Sequence, residues 1–323
     1  MNKTQSYICE NVERLDTFLT SQIGQSRSQI ANLIKKGCVE VDKKVVSRSG
    51  AKLKEGQTVK VEFPKIEIKP VPDIDFDVEV LYEDDDVLVI NKPSGLIVHP
   101  APSVNEATLV DWLKYRGVRL STISAEERNG IVHRLDKGTS GTMVVAKNNA
   151  SHEFLSKQLQ DKSMGRYYLA VITPPLKDEL TEVEIPIARS LNNRLKMACL
   201  EHGKYAKTLF KNLALSSDEK NQLVACKLFT GRTHQIRAHL ESKNRHIIGD
   251  DIYAQSPKQE KSERILLHAY IIYFIHPKSK ERVTFSVLPD AQMMNYINKK
   301  FNTEQIDEVM ETSYIMHSFA ADS

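Results

Sequence analysis

A proline-rich stretch divides the chain into two parts of unequal size. The segment FPKIEIKPVPD, which begins at residue 63, carries prolines at positions 64, 70 and 72. Proline lacks a backbone N–H and disfavours the helical conformation in the residue before it, so this density of proline is typical of a stiff linker. We therefore predict a linker at residues 64–74, with a small domain before it and a larger domain after it.

Charge is distributed unevenly along the chain. Residues 1–70 carry 13 lysines and arginines against 8 aspartates and glutamates, whereas residues 71–90 carry 8 acidic residues and no basic one. The whole chain of 323 residues has a formal net charge of +3. A small basic domain joined to a mildly basic body is expected of an enzyme that binds a polyanion. A solvated surface with uneven charge is the alternative interpretation.

The sequence lacks the features of several functional classes. It has no apolar run of 18 residues, no secretory signal core and no C-x-x-C pair among its four cysteines. These absences predict a cytoplasmic protein with no membrane association and no metal. The glycine-rich nucleotide-binding motifs, the serine-hydrolase motif and the zinc-deaminase signature are also missing. We therefore expect a cofactor-free site built from carboxylates, arginines and aromatic side chains.

Hydrophobic periodicity predicts the fold class. Apolar residues recur at near-helical spacing over residues 15–23 and 30–34, and short alternating segments follow them, which predicts two helices and a small sheet. The larger part contains many strand-like runs, such as VLVINK, TMVVAKN and YIIYFIH, without a regular helical crossover. This pattern predicts an α+β fold with a mixed, mainly antiparallel sheet. The C-terminal tail, residues 291–323, receives no assignment.

Two polar clusters carry the side chains expected of a catalytic site. The first, from Gly130 to Thr142, contains the run His-Arg-Leu-Asp followed by Thr-Ser-Gly, which predicts a tight turn that approaches a ligand closely. The second is the sequence GRTHQIRAH at residues 231–239, whose arginines and histidines can hold phosphates or pair with a buried carboxylate. The alternative interpretation of the first cluster is a hairpin turn with a surface ion pair, and that of the second is a charged helix face.

Together these motifs resemble the RluA-type pseudouridine synthases, in the branch that acts on large-subunit ribosomal RNA. The family patterns His-Arg-Leu-Asp-x-x-Thr-Ser-Gly, Lys-Pro-x-Gly, Gly-Arg-x-His-Gln-Ile-Arg-x-His and Leu-Leu-His-Ala correspond to residues 133–141, 92–95, 231–239 and 266–269. The N-terminal part resembles the small alpha-L type RNA-binding module shared with a ribosomal small-subunit protein. The resemblance covers about residues 12–290.

The resemblance implies a division of the chain into domains. The RNA-binding module would occupy residues 12–63 as a small α+β domain. The catalytic domain would occupy residues 75–290, with helices and loops around a central cleft. We expect the protein to be a monomer.

The resemblance also implies roles for residues of the catalytic domain. Asp136 is expected to be the essential acid, either attacking the sugar or removing a ribose proton, and Arg232 is expected to keep its carboxylate charged. Tyr168 is expected to stack on the base and help move the C5 proton, and Leu267 to close the apolar side of the pocket. Spacing to the following alanine favours Tyr168 over the adjacent Tyr167, which remains the alternative.

RNA contacts are expected in both parts of the chain. Arg134 would fill the gap left by the extruded base or hold the strand. His133 would contact phosphate, although a histidine bonded to the backbone is an equal alternative. In the basic N-terminal part, Arg27, Lys35 and Lys36 are the expected phosphate contacts.

The implied activity is the isomerisation of uridine to pseudouridine in large-subunit ribosomal RNA. The N1–C1′ bond breaks, the base turns and a C5–C1′ bond forms, on a nucleotide flipped out of its stack. Such a reaction needs no cofactor. The same chemistry on transfer RNA is one alternative function, and a non-catalytic RNA-binding ribosome-assembly factor is another.

Overall fold

The chain forms two compact units, residues 1–70 and 71–323. The computed structural model of the protein describes residues 3–24, 27–63, 73–100, 104–121, 129–254, 260 and 262–319. The predicted linker at residues 64–74 lies outside the described residues except for its last two positions.

The N-terminal unit is a four-stranded antiparallel sheet with two helices. Its elements in chain order are β1 (Lys3–Ile8), α1 (Leu15–Ile23), α2 (Arg27–Lys35), β2 (Val39–Val41), β3 (Lys44–Val45) and β4 (Thr58–Phe63). The strand order is β1-β4-β2-β3. The core follows the side-chain periodicities of helices and strands: the helices contribute residues three or four positions apart, and the strands contribute alternate residues. The fully buried residues include Leu15, Leu19, Ile30, Ile34, Val39, Val59 and Val61.

The first strand lies outside the predicted limits of the small domain. β1 pairs with β4 along its whole length, from Lys3 opposite Phe63 to Ile8 opposite Thr58. β1 is therefore part of the sheet of the smaller unit. The sequence KTQSYI contains no apolar run, so its strand conformation depends on the backbone hydrogen bonds that β4 provides.

The C-terminal unit is built on a ten-stranded sheet. Its strands are β5 (Glu79–Glu83), β6 (Val87–Lys92), β7 (Ser140–Ala146), β8 (Gly165–Thr173), β9 (Leu180–Glu184), β12 (Lys207–Leu215), β13 (Gln222–Leu228), β14 (His246–Ile247), β15 (Leu267–Ile275) and β16 (Arg282–Ser286). The main order is β5-β6-β7-β15-β8-β13-β12-β9, with β14 on β8 and β16 on β15. A separate hairpin joins β10 (Ile187–Arg189) and β11 (Met197–Cys199).

The expected α+β class with a mixed, mainly antiparallel sheet is confirmed. Among the described strands of this unit, β7 and β15 form the one parallel pair, while the other pairs are antiparallel. All seven residues of β7 are buried, because apolar groups cover both faces of the sheet at this point. Val87 and Val89 of β6 lie in the cluster with α4 (Asn149–Asp161), and Leu88 and Ile90 lie in the larger cluster on the other face.

The C-terminal tail forms part of this larger core. It contains α6 (Ala291–Lys300), α7 (Thr303–Val309) and α8 (Thr312–Ser318). Asp290 caps α6 by accepting a hydrogen bond from Met293 N at 3.0 Å. The three helices bury a row of apolar side chains in the same cluster as α3 (Leu109–Tyr115): Met293, Ile297, Phe301, Ile306, Ile315 and Phe319. Residues 291–319 therefore belong structurally to the larger unit.

In the described part of the chain, none of the helices is both long and apolar enough to cross a membrane. No group of three or more histidine, cysteine, aspartate or glutamate side chains there is arranged to hold a metal ion. The four cysteines are free thiols.

Packing of the tail predicts a measurable contribution to stability. Ile297 is fully buried, so Ile297→Ala should lower the free energy of unfolding by about 2–5 kcal/mol. Trp112 is the single tryptophan of the chain and lies in α3, so its fluorescence during urea unfolding reports on the larger unit. The exposed Lys299, changed to alanine, is the matched control and should shift stability by less than about 0.5 kcal/mol. Equal stability of the two variants would contradict the packing of α6.

Candidate active site

Asp136 lies on the loop that leads into β7, and the segment after β6 holds this loop in place. Ser94 Oγ donates to the carbonyl oxygen of Gly138 at 2.7 Å, and Gly95 N donates to that of Lys137 at 2.8 Å. The Asp136 side chain is 20% exposed. Its carboxylate is therefore accessible from a cleft, while hydrogen bonds hold the backbone of the two residues that follow it.

A close approach of two strands brings the start of β15 to the same cleft. Gly141 has a φ of +115°, and a Cβ there would lie 2.2 Å from the carbonyl oxygen of Ala269. Only glycine fits this position without displacing β15. Beside it, Ser140 Oγ hydrogen-bonds His268 Nδ1 at 2.8 Å. The parallel pairing of β7 with β15 places Leu267 in the cleft that Asp136 lines.

Arg237, on α5 (Gln235–Ser242), contacts two carboxylates. Its Nε and Nη2 each donate to one oxygen of Asp250 at 2.7 Å, and its Nη1 lies 3.7 Å from Asp136 Oδ2. Burial acts to lower the pKa of Arg237, but the hydrogen bonds and charge of Asp250 and the charge of Asp136 together raise it. Because the guanidinium remains protonated, Asp136 faces a permanent positive charge.

In the structure Arg237, and not Arg232, forms the ion pair with Asp136, and a role for Arg232 in catalysis stays a prediction. Arg232 lines the same cleft, but its Nε donates to the backbone oxygen of Tyr205 at 2.8 Å. It forms no ion pair with any described carboxylate. The helix begins at Gln235, which puts Arg237 in a segment buried on all sides and leaves Arg232 in the more open turn before it. A buried arginine requires an anion, whereas a partly exposed one is satisfied by water.

Tyr168 and Tyr167 face opposite sides of β8, because successive strand residues alternate. Tyr168 lines the cleft with Asp136, while Tyr167 packs on Tyr273 with ring centroids 6.1 Å apart. Burial raises the pKa of Tyr168 to about 12; the charge of Arg166 opposes this rise and that of Asp136 adds to it. The Tyr168 hydroxyl is therefore protonated at neutral pH.

The cleft thus brings together four of the residues that the sequence singled out, namely Asp136, Tyr168, Arg232 and Leu267. The lining combines the carboxylate and arginines with apolar side chains such as Leu228 and Leu267. A carboxylate beside a buried guanidinium can act as a nucleophile or as a general base. A tyrosine ring and a leucine on neighbouring strands suit a flat ligand with polar edges.

His133 is hydrogen-bonded to the backbone of β7, and its contact with RNA phosphate stays a prediction. His133 is 8% exposed, and its Nε2 accepts a hydrogen bond from Val144 N at 3.1 Å. Burial, together with the charge of Arg166, lowers its pKa to about 3, so the imidazole is neutral. The ring anchors the loop to β7, which is the backbone-bonded alternative. The adjacent Arg134 is exposed at the edge of the cleft.

The three basic residues expected to contact RNA in the smaller unit are exposed. Arg27 is the first residue of α2, and its Nη2 donates to Thr17 Oγ1 at 3.0 Å. Lys35 ends the same helix, and Lys36 lies in the turn after it. RNA binding by these side chains stays a prediction.

Lys92 begins the Lys-Pro-x-Gly motif, and the motif alone predicted no role for it. It is fully buried, and its Nζ donates to the carbonyl oxygens of Pro93, Leu96 and Lys137 at 2.8, 2.8 and 3.3 Å. Burial lowers its pKa to about 7, with the charge of Asp136 opposing the shift. A lysine at the end of an otherwise apolar strand was the available signal.

Asp250 and Tyr253 were likewise not identified from the sequence. Asp250 is fully buried at its side chain, and its Oδ1 also accepts hydrogen bonds from Ile252 N and Tyr253 N at 3.0 Å. The Tyr253 ring centre lies 4.8 Å from the guanidinium carbon of Arg237. Two adjacent aspartates after a glycine gave no indication of which one turns inward.

Comparison with known proteins defines the class to which this fold and site belong. Residues 86–242 match the RNA pseudouridylate synthase family, and residues 13–59 match the S4 domain. The solved structure of human RNA pseudouridylate synthase domain containing 1 has the same fold, with a TM-score of 0.57 and 22% identity over 76% of this chain and 97% of that chain.

Proteins with higher sequence identity to this chain establish the family to which it belongs. A Helicobacter pylori (strain J99) protein described as an uncharacterized RNA pseudouridine synthase is 49% identical over 316 residues, or 96% of each chain. The ribosomal large subunit pseudouridine synthase D of Zymomonas mobilis is 37% identical over 292 residues, covering 87% of this chain and 90% of that protein. The chain therefore belongs to the RNA pseudouridine synthase family, as its motifs indicated, and is an isomerase with an S4 RNA-binding domain.

The two arginines of the second motif should differ in their effect on stability. Arg237→Met leaves Asp250 buried without a cation, which should lower the free energy of unfolding by about 3–5 kcal/mol. Arg232→Met, the matched control, removes one hydrogen bond at a partly exposed site and should cost less than about 1 kcal/mol. Urea unfolding followed by Trp112 fluorescence measures both. Similar losses in the two variants would contradict the assignment of Arg237 as the buried partner.

Proposed function

We propose that this enzyme converts specific uridines of large-subunit ribosomal RNA to pseudouridine and that Asp136 acts on the ribose of a flipped-out nucleotide. The observation that carries the proposal is the contact of the cleft carboxylate of Asp136 with the buried guanidinium of Arg237 at 3.7 Å. Burial of a carboxyl group in a pocket favours its protonated form, whereas a nearby fixed cation favours the ionised form. The anion is the form that the reaction requires.

The proposed chemistry is balanced without any other reactant. The N1–C1′ bond of uridine breaks, the base turns within the pocket, and a C5–C1′ bond forms. The proton on C5 is then lost, and N1 gains a proton. Asp136 either forms a bond to C1′ as N1 departs, and this bond breaks when C5 attacks C1′, or it removes a ribose proton that assists the departure and returns it when the C5–C1′ bond forms. Both routes begin from the ionised carboxylate, and neither consumes electrons or phosphoryl energy.

Tyr168 and Leu267 are proposed to hold the base while it turns. The ring of Tyr168 offers a flat surface for stacking, and its protonated hydroxyl offers a polar group for moving the C5 proton. Leu267 is 3% exposed and closes the apolar side of the cleft. An apolar wall lets the base rotate without breaking hydrogen bonds to the protein.

RNA binding is proposed to involve both units. Flipping a nucleotide costs about a few kcal/mol, and Arg134 at the edge of the cleft can fill the vacated space or hold the strand. Arg27, Lys35 and Lys36 are proposed to bind phosphates, which makes affinity fall steeply with salt.

The choice of ribosomal RNA rests on a relative and on the smaller unit. The Zymomonas mobilis relative is described as a ribosomal large subunit pseudouridine synthase, and the S4 domain carries exposed basic residues. Transfer RNA is the alternative substrate. The enzyme is proposed to act as a cytoplasmic monomer.

Mapping pseudouridines in cells tests both substrate and catalytic acid. A strain without the gene, carrying either the wild-type gene or Asp136→Asn, is compared by carbodiimide primer extension of ribosomal and transfer RNA. We expect modified uridines in large-subunit ribosomal RNA to disappear in the deletion strain and to return only with the wild-type gene. The purified Asp136→Asn protein should still bind RNA, because replacing one carboxylate oxygen with an amide group removes a negative charge and leaves the phosphate contacts intact. Loss of modification only in transfer RNA, or full rescue by Asp136→Asn, would overturn the proposal.

The adjacent tyrosines provide a second test with an internal control. Tyr168→Phe removes the hydroxyl that lines the cleft and should reduce turnover of a mapped RNA site at least about a hundredfold. Tyr167→Phe changes a side chain on the opposite face of β8 and should leave turnover near the wild-type value. Single-turnover assays measure both. Greater loss from Tyr167→Phe would reassign the role.

A further inference from the structure

Arg166 is a buried arginine for which the described part of the protein supplies no anion. Its residue is 7% exposed, and its Nε is buried without a hydrogen-bond partner. It forms no ion pair with any carboxylate among the described residues. Burying a charged group without a partner carries a free-energy penalty of several kcal/mol, so such a group normally has a function.

The groups that face Arg166 are neutral. His133 is an unprotonated imidazole because burial and the charge of Arg166 itself lower its pKa to about 3. Tyr168, two residues along the same face of β8, is a protonated phenol because burial raises its pKa to about 12. Burial lowers the pKa of Arg166 as well, although an arginine stays charged in proteins. The positive charge therefore has no counterpart among the side chains that the structure describes.

Arg166 lies where the catalytic cleft meets a second cavity. The two cavities share Arg134, Arg166, Gly231 and Arg232. A Cβ at position 231 would lie 2.8 Å from Arg166 Nη1, so glycine leaves room for the guanidinium at this junction. The guanidinium is therefore within reach of a ligand that enters from either side.

The second cavity, here called the cationic groove, is lined by Arg134, Lys162, Arg166, Tyr205 and Arg232, among others. None of the described residues that line it is acidic. Nearby Glu184 lies 3.1 Å from Lys207, which also pairs with Glu182 at 2.9 Å, and it interacts with Lys162 at one end of the groove. A groove whose described lining holds four cations and no anion, and which opens beside Asp136, has the charge pattern of a site for a polyanion backbone.

We propose that Arg166 and the cationic groove bind a phosphodiester group of the RNA next to the flipped uridine. This inference rests on the proposed function, because it takes the occupant of the cleft to be a nucleotide of RNA. A guanidinium forms paired, charge-assisted hydrogen bonds with phosphate oxygens. The phosphate supplies the anion that Arg166 lacks, and it fixes the sugar of the target nucleotide relative to Asp136.

The test compares Arg166→Met and Arg166→Lys with Lys299→Met, which removes an exposed lysine on α6. The probe is a short RNA that spans a mapped uridine, in native form and with one neutral methylphosphonate replacing each flanking phosphate in turn. Kd is measured at several salt concentrations, and turnover is measured separately.

We expect Arg166→Met to raise Kd about tenfold or more. The salt slope, which is the slope of log Kd against log salt concentration, should fall by about one because one phosphate contact is lost. One methylphosphonate position should weaken binding to the wild-type protein but not to Arg166→Met. Arg166→Lys should recover part of the affinity. Because Arg166 has no carboxylate partner among the described residues, Arg166→Met should be at least as stable as the wild type during urea unfolding.

Several results would overturn the inference. If Arg166→Met lowers turnover while Kd and salt slope match those of Lys299→Met, Arg166 acts by positioning Tyr168 and not by holding phosphate. A methylphosphonate effect of equal size in both proteins, or a marked loss of stability in Arg166→Met, would also contradict it. Absence of pseudouridine formation by the wild-type protein would refute the proposed function instead. The Kd comparison needs no turnover and still decides the role of Arg166.

Discussion

A single buried arginine joins the segments that form the catalytic cleft. Arg237 binds Asp250 through two hydrogen bonds of 2.7 Å and reaches Asp136 at 3.7 Å. These contacts connect α5, the turn after β14 and the loop before β7, which are far apart in the sequence. Since Asp250 is fully buried, the pair is held out of water, and Asp136 alone is left open to a ligand.

The charges around this pair suit an enzyme that meets an anionic substrate. Arg237 is shared by Asp250 and Asp136, whereas Arg134, Arg166 and Arg232 line the same cleft without a carboxylate partner of their own among the described residues. The free protein therefore presents an excess of positive charge beside one accessible carboxylate. In the proposed function a nucleic acid would supply phosphates for the arginines and a sugar for the acid, so binding and catalysis would use neighbouring parts of one surface.

Local patterns in the sequence predicted the fold class, and they singled out Asp136, Tyr168, Arg232 and Leu267, which line one cleft. Buried strands such as β7 contain apolar runs. The motif residues 133–141 and 231–239 meet because β7 pairs with β15, β15 with β8, and β8 with β13. The polar strand β1 was missed because its conformation depends on pairing with β4. The spacing of the charged residues does not distinguish Arg237 from Arg232, because α5 becomes buried only through packing in the folded molecule.

The most direct measurement is a crystal structure of the Asp136→Asn variant bound to an RNA that contains the target uridine. The account predicts a nucleotide outside its stack, with the side chain at position 136 about 3–3.5 Å from the ribose C1′ and the Tyr168 ring against the base. It also predicts that Arg237 keeps its two hydrogen bonds to Asp250. A target uridine that remains stacked in its helix, or a sugar held far from position 136, would contradict the account.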